Sequence, residues 1–236
     1  NAMTDEAYAA AYRAAALECA AFWKAKGIDL RGYNTVESAR DLDALRVHLG
    51  ADKISLWGIS YGTHLSLAAL KLMEDRLDRV VMASAEGLDQ TVKLPAGTDA
   101  YFDRMQAAVD NDSRAKAVYP DIRALIRRVH QRLQDKPVPL TLKGPDGKDT
   151  DVLLQRRTLQ MIEAGAIADP EGAIMMLAIY RAADAGDYKP LAEVMQRFFG
   201  PGEPLKLEAM PLAMDVASGI GDERLALVET QAKTAL

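Results

Sequence analysis

The chain has 236 residues, which is enough for one large or two small domains with a sizeable hydrophobic core. Hydrophobic residues make up 49% of the sequence and charged residues 27%, and this balance excludes a disordered or fibrous protein. The formal net charge of −5 argues against a nucleic-acid-binding protein, because such a protein needs a basic surface, so we expect no nucleic-acid partner.

Two helices are predicted before the first strand. Residues Asp5–Lys26 carry apolar side chains at spacings of three and four, which is the pattern of an amphipathic helix. Cys19 lies on this stripe, which favours a small buried hydrophobic residue over a reactive thiol. A second helix ends at Gly50, and Asn34 with Glu37 three residues later forms a capping-box pattern at its start.

A strand, a helix and a second strand follow. The strands are expected at Ile54–Trp57 and Arg79–Ser84, and the helix at Thr63–Met73 with one apolar face. Strand, helix and strand in this length predict two parallel strands, which are normally buried on both faces within a larger sheet. Because no further core strand is predicted, we expect a mostly helical α/β chain with a short parallel sheet.

The sequence after residue 97 predicts mostly helices. A small hairpin is expected where Val138–Lys143 and Asp149–Leu154 flank Gly144-Pro145-Asp146-Gly147. The predicted helices are Asp99–Asp110, Pro120–Gln134, Arg157–Gly165, Pro170–Ala185, Lys189–Phe199 (ended by Gly200-Pro201-Gly202), Leu207–Ser218 and Asp222–Leu236. Met175, Met176 and Leu177 in the fourth of these favour core packing over a cofactor site.

The residues between the first predicted strand and its helix, Gly58-Ile59-Ser60-Tyr61-Gly62, have the G-x-S-x-G pattern of a nucleophile elbow. Ser60 would lie on a sharp turn in a strained backbone geometry that lifts its hydroxyl clear of the chain. Gly58 and Gly62 would pass close to the crossing backbone, where only small residues fit. The following helix would point its N-terminal N–H groups at developing negative charge. The pattern predicts a serine nucleophile, with an ordinary glycine-rich turn as the alternative.

A series of short motifs leads into this elbow. They are Gly27-Ile28-Asp29-Leu30, Tyr33-Asn34-Thr35, Ala39-Arg40-Asp41-Leu42, Leu45-Arg46, Leu49-Gly50 and Gly58-Ile59-Ser60-Tyr61-Gly62-Thr63. Their order resembles the tripeptidyl aminopeptidase branch of the α/β-hydrolases, serine exopeptidases related to prolyl aminopeptidases. Ala185-Gly186-Asp187-Tyr188 with Pro190-Leu191 resembles part of that family's helical cap. The resemblance implies a serine hydrolase that removes short peptides or amino acids from peptide N-termini, acting on a peptide or small ester.

The resemblance also implies the roles of the elbow residues. Ser60 would be the nucleophile that forms an acyl-enzyme, and the backbone N–H of Tyr61 would be one donor of the oxyanion hole. Gly58 and Gly62 would be the permissive positions of the elbow. The family's acid and histidine follow the cap in the order serine, acid, histidine. The chain therefore resembles the middle of such a hydrolase, and we expect it to lack both groups.

None of the three histidines of the sequence is expected to act as the catalytic base. His64 lies one helical turn after Ser60, where its side chain would point away from the raised hydroxyl. His48 precedes the elbow strand, and His130 is predicted on the edge of a cap helix as a packed or solvent-edge residue. Because a serine hydroxyl without a base is a poor nucleophile at neutral pH, we expect this chain to be close to inactive.

The resemblance and the pattern together predict three parts. Residues 1–94 would form a partial α/β-hydrolase core with the elbow, residues 95–206 a helical cap with the hairpin, and residues 207–236 helices that return towards the core. No cofactor, metal or membrane span is expected, since the histidines lack metal-ligand spacing and no apolar run is long enough. The family resemblance leans towards an exported protein.

Two other functions compete with the peptidase. An esterase is the first alternative, because the fold and the elbow alone do not determine the substrate. The candidate carboxylates for binding a peptide amine are Glu86, Asp89, Asp184 and Asp187, with solvated surface charge as the alternative reading. A non-catalytic interaction protein is the other candidate, in which a homo-oligomer covers the open edge of the sheet.

Overall fold

The computed structural model describes residues 4–144, 146–198 and 207–236. These residues divide into two units. The elbow unit contains residues 8–94 and 207–234, and the helical unit contains residues 4–7, 95–144, 146–198 and 235–236. The predictions for Pro145, for Phe199 and for Gly200-Pro201-Gly202 lie outside the described residues.

The elements follow one another in a mostly helical order. In the elbow unit they begin with a long helix and continue through the predicted strand, helix and strand. The bounds are α1 (Asp5–Ala25), α2 (Thr35–His48), β1 (Ile54–Ile59), α3 (Tyr61–Met73), β2 (Leu77–Ala83), α4 (Pro95–Asp110), α5 (Ser113–Val118), α6 (Ile122–Asp135), β3 (Val138–Lys143), β4 (Asp149–Leu154), α7 (Arg156–Ala166), α8 (Pro170–Asp184), α9 (Lys189–Phe198), α10 (Ala209–Ser218) and α11 (Asp222–Ala232). Short 3-10 turns cover Leu30–Gly32 and Glu74–Arg76.

The sheet of the elbow unit consists of two parallel strands, as the sequence predicts. Leu56 pairs with Val80 and Trp57 with Val81. One face packs on α2 and α3 through a small core of Ala39, Ala69, Met73 and Leu77. On the other face Trp57 is 76% exposed and Val81 57%. Among the described residues nothing covers this second face, although parallel sheets are normally buried on both.

The bounds of the two strands differ from the predicted ones by one or two residues. β1 extends to Ile59, so the first two residues of the elbow motif belong to the strand. β2 begins at Leu77 and ends at Ala83, since Ser84 has a positive φ of 55° that breaks the extended conformation. At α2 the capping prediction is confirmed, because the side chain of Asn34 accepts a hydrogen bond of 2.9 Å from the N–H of Glu37.

The helical unit has a larger core, formed by α6, α7 and α8 with the hairpin and α9. The strongest contributors are fully buried side chains, namely Phe102, Ile122, Ile126, Leu133, Leu154, Leu159, Met176, Tyr180 and Leu191. The predicted hairpin is confirmed, since β3 and β4 are antiparallel with Val138 opposite Leu154 and Lys143 opposite Asp149.

Two local expectations need correction, and one short helix was not predicted. Cys19 is only half-buried, because α1 contains no buried residue in this structure. Met175 is 39% exposed, so only Met176 and Leu177 of that cluster pack in the core. Helix α5 was not predicted, because its six residues are too short to show a period, although Asp112 caps its first turn.

Candidate active site

Ser60 lies at the junction of β1 and α3 in a backbone conformation that few side chains adopt. Its φ is 54° and its ψ is −123°, and its side chain is exposed. Non-glycine residues with positive φ are strained, so neighbouring contacts must hold the turn. The N–H of Ser60 donates to the carbonyl of Ala83 on β2 at 3.2 Å, and its own carbonyl accepts from the N–H of Thr63 at 2.8 Å. The junction presents an exposed hydroxyl on a fixed, strained backbone.

The two glycines of the motif differ in their surroundings. A Cβ on Gly58 would lie 2.3 Å from the carbonyl oxygen of Gly62 and 2.8 Å from Oγ of Ser66, so the close approach predicted for Gly58 is present. A Cβ on Gly62 would meet nothing within 4 Å. The backbone of Gly62 does approach Gly58 closely, but the expectation that only a small residue fits at position 62 is wrong. The crowding arises because the carbonyl of Gly62 points at Gly58, while the position of its own Cβ faces open space.

Thr63 joins the elbow to the loop after β2. Its side chain is fully buried, and its hydroxyl donates to the carbonyl of Ser60 at 2.7 Å. The same oxygen accepts from the N–H of Glu86 at 2.7 Å. The hydroxyl therefore satisfies the partly buried N–H of Glu86 and fixes the carbonyl of Ser60 at the same time.

We expect Thr63→Val to destabilise the protein by about 1–3 kcal/mol, because the isosteric side chain leaves the N–H of Glu86 without its acceptor. Urea unfolding of the elbow unit, followed by tryptophan fluorescence, measures the loss. Thr63→Ser is the matched control, since it keeps the hydroxyl and should lose less. Equal losses in the two variants would show that the methyl packing of Thr63, and not its hydroxyl, holds the elbow.

Tyr61 is the first residue of α3. The first N–H groups of a helix have no acceptor within the helix, and they carry the positive end of its dipole. The hydroxyl group of Tyr61 is hydrogen-bonded to the hydroxyl group of Thr35 at 3.1 Å. The ring of Tyr61 stacks on the ring of His64 at a centroid distance of 5.7 Å. These contacts fix the residue whose backbone N–H would face a developing oxyanion next to Ser60.

None of the three histidines makes a hydrogen bond with Ser60 among the described residues. His64 is buried, and its Nδ1 lies 3.1 Å from the carbonyl oxygen of Gly87. Because a carbonyl only accepts, Nδ1 carries the proton. His48 is exposed at the C-terminal end of α2, and His130 belongs to the helical unit. The structure therefore shows a positioned serine to which no histidine is hydrogen-bonded in the part of the chain that it describes.

The four carboxylates considered for binding a peptide amine have partners within their own units. Lys93 donates to Glu86 at 2.7 Å, the N–H of Gly221 to Asp89 at 2.9 Å, Arg128 to Asp184 at 2.8 Å, and the N–H of Lys189 to Asp187 at 3.0 Å. Hydrogen bonds from Arg128 hold the pKa of Asp184 below its ordinary value. Each of the four carboxylates therefore has a structural partner, and a role in binding a peptide amine stays a prediction for each.

A buried hydrogen-bonded cluster in the helical unit was not predicted. The hydroxyl of Tyr180 donates to Oε2 of Glu163 at 2.8 Å and lies 2.7 Å from Nε2 of His130. All three side chains are buried, and Oε1 of Glu163 has no partner among the described residues. The sequence shows only His130 on the edge of a helical stripe, and its partners lie on two other helices.

Burial shifts the ionisation of this cluster. Desolvation raises the pKa of Glu163 to about 7. The hydrogen bond from Tyr180 lowers the same pKa, but by less. Desolvation, helped by the charge of Arg156, lowers the pKa of His130 to about 4. The pKa of Tyr180 is raised well above 10, first by burial and then by Glu163. Although Glu163 and His130 approach to 3.8 Å, burial disfavours the charged form of each.

The described residues contain neither a metal-binding cluster nor a membrane-spanning helix. No group of three or more histidine, cysteine, aspartate or glutamate side chains among them could hold a metal ion. In the same part of the chain, every helix is too short or too polar to cross a membrane.

A sequence model of the alpha/beta hydrolase fold matches residues 16–143, which is more than half of the chain and includes the elbow. A search of curated proteins gives no match. The family match agrees with the parallel strands, the strained serine between strand and helix, and the helices that follow. The chain therefore belongs to the α/β-hydrolase family.

Proposed function

We propose that this protein is a serine hydrolase in which Ser60 is the nucleophile. The observation that carries the proposal is the exposed Ser60 side chain at a φ of 54°, on the turn between β1 and α3. Gly58 gives the room that this turn needs, and Thr63 fixes its carbonyl. We also propose residues 1–94 as a partial hydrolase core, residues 95–206 as its helical cap and residues 207–236 as helices that return towards the core.

The reaction would begin when Oγ of Ser60 attacks the carbonyl carbon of the substrate. The carbonyl oxygen would become an oxyanion at the N-terminus of α3, where the N–H of Tyr61 donates to it. Collapse of this intermediate would expel the amine or alcohol and leave an acyl group on Ser60, which water then hydrolyses. The proton of the serine hydroxyl needs a base, and no histidine is bonded to Ser60 among the described residues. We therefore propose that this chain by itself reacts slowly.

For the substrate we propose a peptide with a free N-terminus, because the motifs from Gly27 to Thr63 resemble exopeptidases. The test compares three phosphorus probes that trap a serine nucleophile, with adducts mapped to Ser60 by mass spectrometry. A peptidyl diphenylphosphonate with a free amine should react about tenfold faster than its N-acetylated form. Equal rates for these two, with faster labelling by an alkyl fluorophosphonate, would contradict the peptidase and favour an esterase.

The open face of the sheet favours a second candidate, a protein that associates with its own copy. Trp57, Ile59 and Val81 are exposed there, and each strand leaves one edge unpaired within the described residues. Antiparallel pairing of two β2 strands would continue the sheet from one copy to the other and would bring the two exposed apolar faces together on one side.

Sedimentation over a range of protein concentrations tests this second candidate. The wild type should form dimers, and Val81→Lys should shift the protein to monomers by placing a charge on the apolar face. Leu227→Lys, at an exposed apolar position of α11, is the control and should leave the dimers intact. A wild type that stays monomeric at every concentration would contradict self-association.

A further inference from the structure

A cavity of about 490 Å³ lies in the elbow unit between the N-terminus of α2, the middle of α3 and the C-terminal end of α10. The cavity is open to solvent, since Val36 is 43% and Leu72 47% exposed. Its walls are mostly apolar, and they are formed by Val36, Ala68, Leu72, Leu88 and Ala217. Its size and composition are those of cavities that bind small molecules. Ser60 and Tyr61 do not line it, so it is separate from the candidate active site.

The polar groups of this cavity are few and of defined kinds. Among the described residues that line the cavity, Lys71 is the only charged one, so this part of the lining carries one cation and no anion. His64 is buried in its wall with Nδ1 committed to the carbonyl of Gly87, which leaves Nε2 as an acceptor for a ligand O–H or N–H. Thr35 and Ser218 add hydroxyl groups. A ligand that fits would be short and apolar, with an anionic group for Lys71.

We propose that this cavity binds a small amphipathic anion, a carboxylate with a short apolar tail. The apolar walls would bury the tail, and the ammonium group of Lys71 would pair with the carboxylate near the cavity mouth, where that side chain is exposed. The site has a direct connection to the elbow. His64 and Ala68 are on α3, the helix that begins beside Ser60, so a bound ligand would stabilise that helix.

Octanoate is the probe for this proposal, with octylamine and octanol as cationic and neutral probes of the same length. Calorimetry and thermal unfolding should show that octanoate binds and raises the unfolding temperature, while the two other probes bind at least tenfold more weakly. The ring C–H signals of His64 in NMR spectra should shift on addition of octanoate, which locates the ligand. Neither readout depends on catalysis.

Two variants sharpen the test. Lys71→Glu should weaken octanoate binding at least tenfold by reversing the one charge of the lining, and Ala217→Phe should weaken it by filling the cavity. Lys53→Glu, at an exposed position outside the cavity, is the control and should bind as the wild type does. Circular dichroism checks that each variant is folded. No binding of octanoate to the wild type, equal binding of all three probes, or unchanged binding in Lys71→Glu would overturn the proposal.

Discussion

Replacement of Glu163 by glutamine should make the protein more stable than the wild type at pH 7 and above, with no gain at pH 4.5. In the folded protein the pKa of Glu163 is raised from 4.5 to about 7, so ionisation costs stability as the pH rises through this window. A raised carboxyl pKa means that the stabilising protonated form is fully present below 4.5 and lost above 7. The difference of the two pKa values corresponds to a gain of about 3 kcal/mol.

His130→Gln should show the opposite dependence. The pKa of His130 is lowered from 6.5 to about 4 in the folded protein, so its neutral form stabilises the protein above pH 6.5. That stability is lost as the pH falls towards 4. Relative to the wild type, the variant should gain stability on acidification, again by about 3 kcal/mol. In the wild type the two contributions cancel between about pH 4.5 and 6.5, which conceals each of them.

Urea unfolding at a series of pH values measures both effects, followed by circular dichroism and by amide hydrogen exchange of α6, α7 and α8. Hydrogen exchange is needed because two units can unfold in separate steps. Glu193→Gln is the control, since Glu193 is exposed on α9 and its replacement should leave the pH profile unchanged. Profiles of the Glu163 and His130 variants that run parallel to the wild type would show that the cluster does not titrate in this way.

Gly58→Ala should destabilise the elbow unit by about 3 kcal/mol, the upper end of the range for overpacked sites. Its new methyl group would lie 2.3 Å from the carbonyl oxygen of Gly62, and a backbone atom cannot move aside as a flexible side chain can. Gly62→Ala is the matched comparison on the other side of Ser60. Its methyl group meets nothing within 4 Å, and alanine favours helix by about 1 kcal/mol over glycine.

Urea unfolding followed by amide hydrogen exchange of β1 and α3, the two elements that flank the turn, compares the two glycine variants. Gly62→Ala should unfold at the same or a higher urea concentration than the wild type, and Gly58→Ala at a lower one. Equal destabilisation by both variants would contradict the difference between the two glycines. It would support the expectation that both positions of the G-x-S-x-G motif need a small residue.

The elbow could be predicted because its information is local. Within about twenty residues the sequence has an apolar strand, a turn of small residues and an amphipathic helix. This pattern predicts the position of Ser60 and its strained backbone conformation. The hairpin is likewise set by the turn residues between Val138–Lys143 and Asp149–Leu154. Such short-range patterns can be recognised in the sequence without knowledge of the surrounding fold.

The remaining features depend on contacts between distant residues. The hydroxyl of Tyr180 meets Glu163 across 17 residues and His130 across 50, so no spacing in the sequence shows the buried cluster. The open space beside Gly62 depends on which way one carbonyl points. The sequence likewise does not show the partner of Asp89, whose carboxylate accepts a hydrogen bond from the N–H of Gly221, 132 residues away.

The reactivity of Ser60 tests the central claim most directly. The chain is incubated with an alkyl fluorophosphonate, with and without imidazole as an added base, and the adduct is mapped by mass spectrometry. We predict slow labelling at Ser60 that imidazole accelerates. Ser60→Ala should abolish it, and Ser84→Ala should retain it, since Ser84 is an exposed serine with a similar φ of 55° but no helix after it. An adduct on another residue, or none in either condition, would contradict the assignment of Ser60 as a nucleophile.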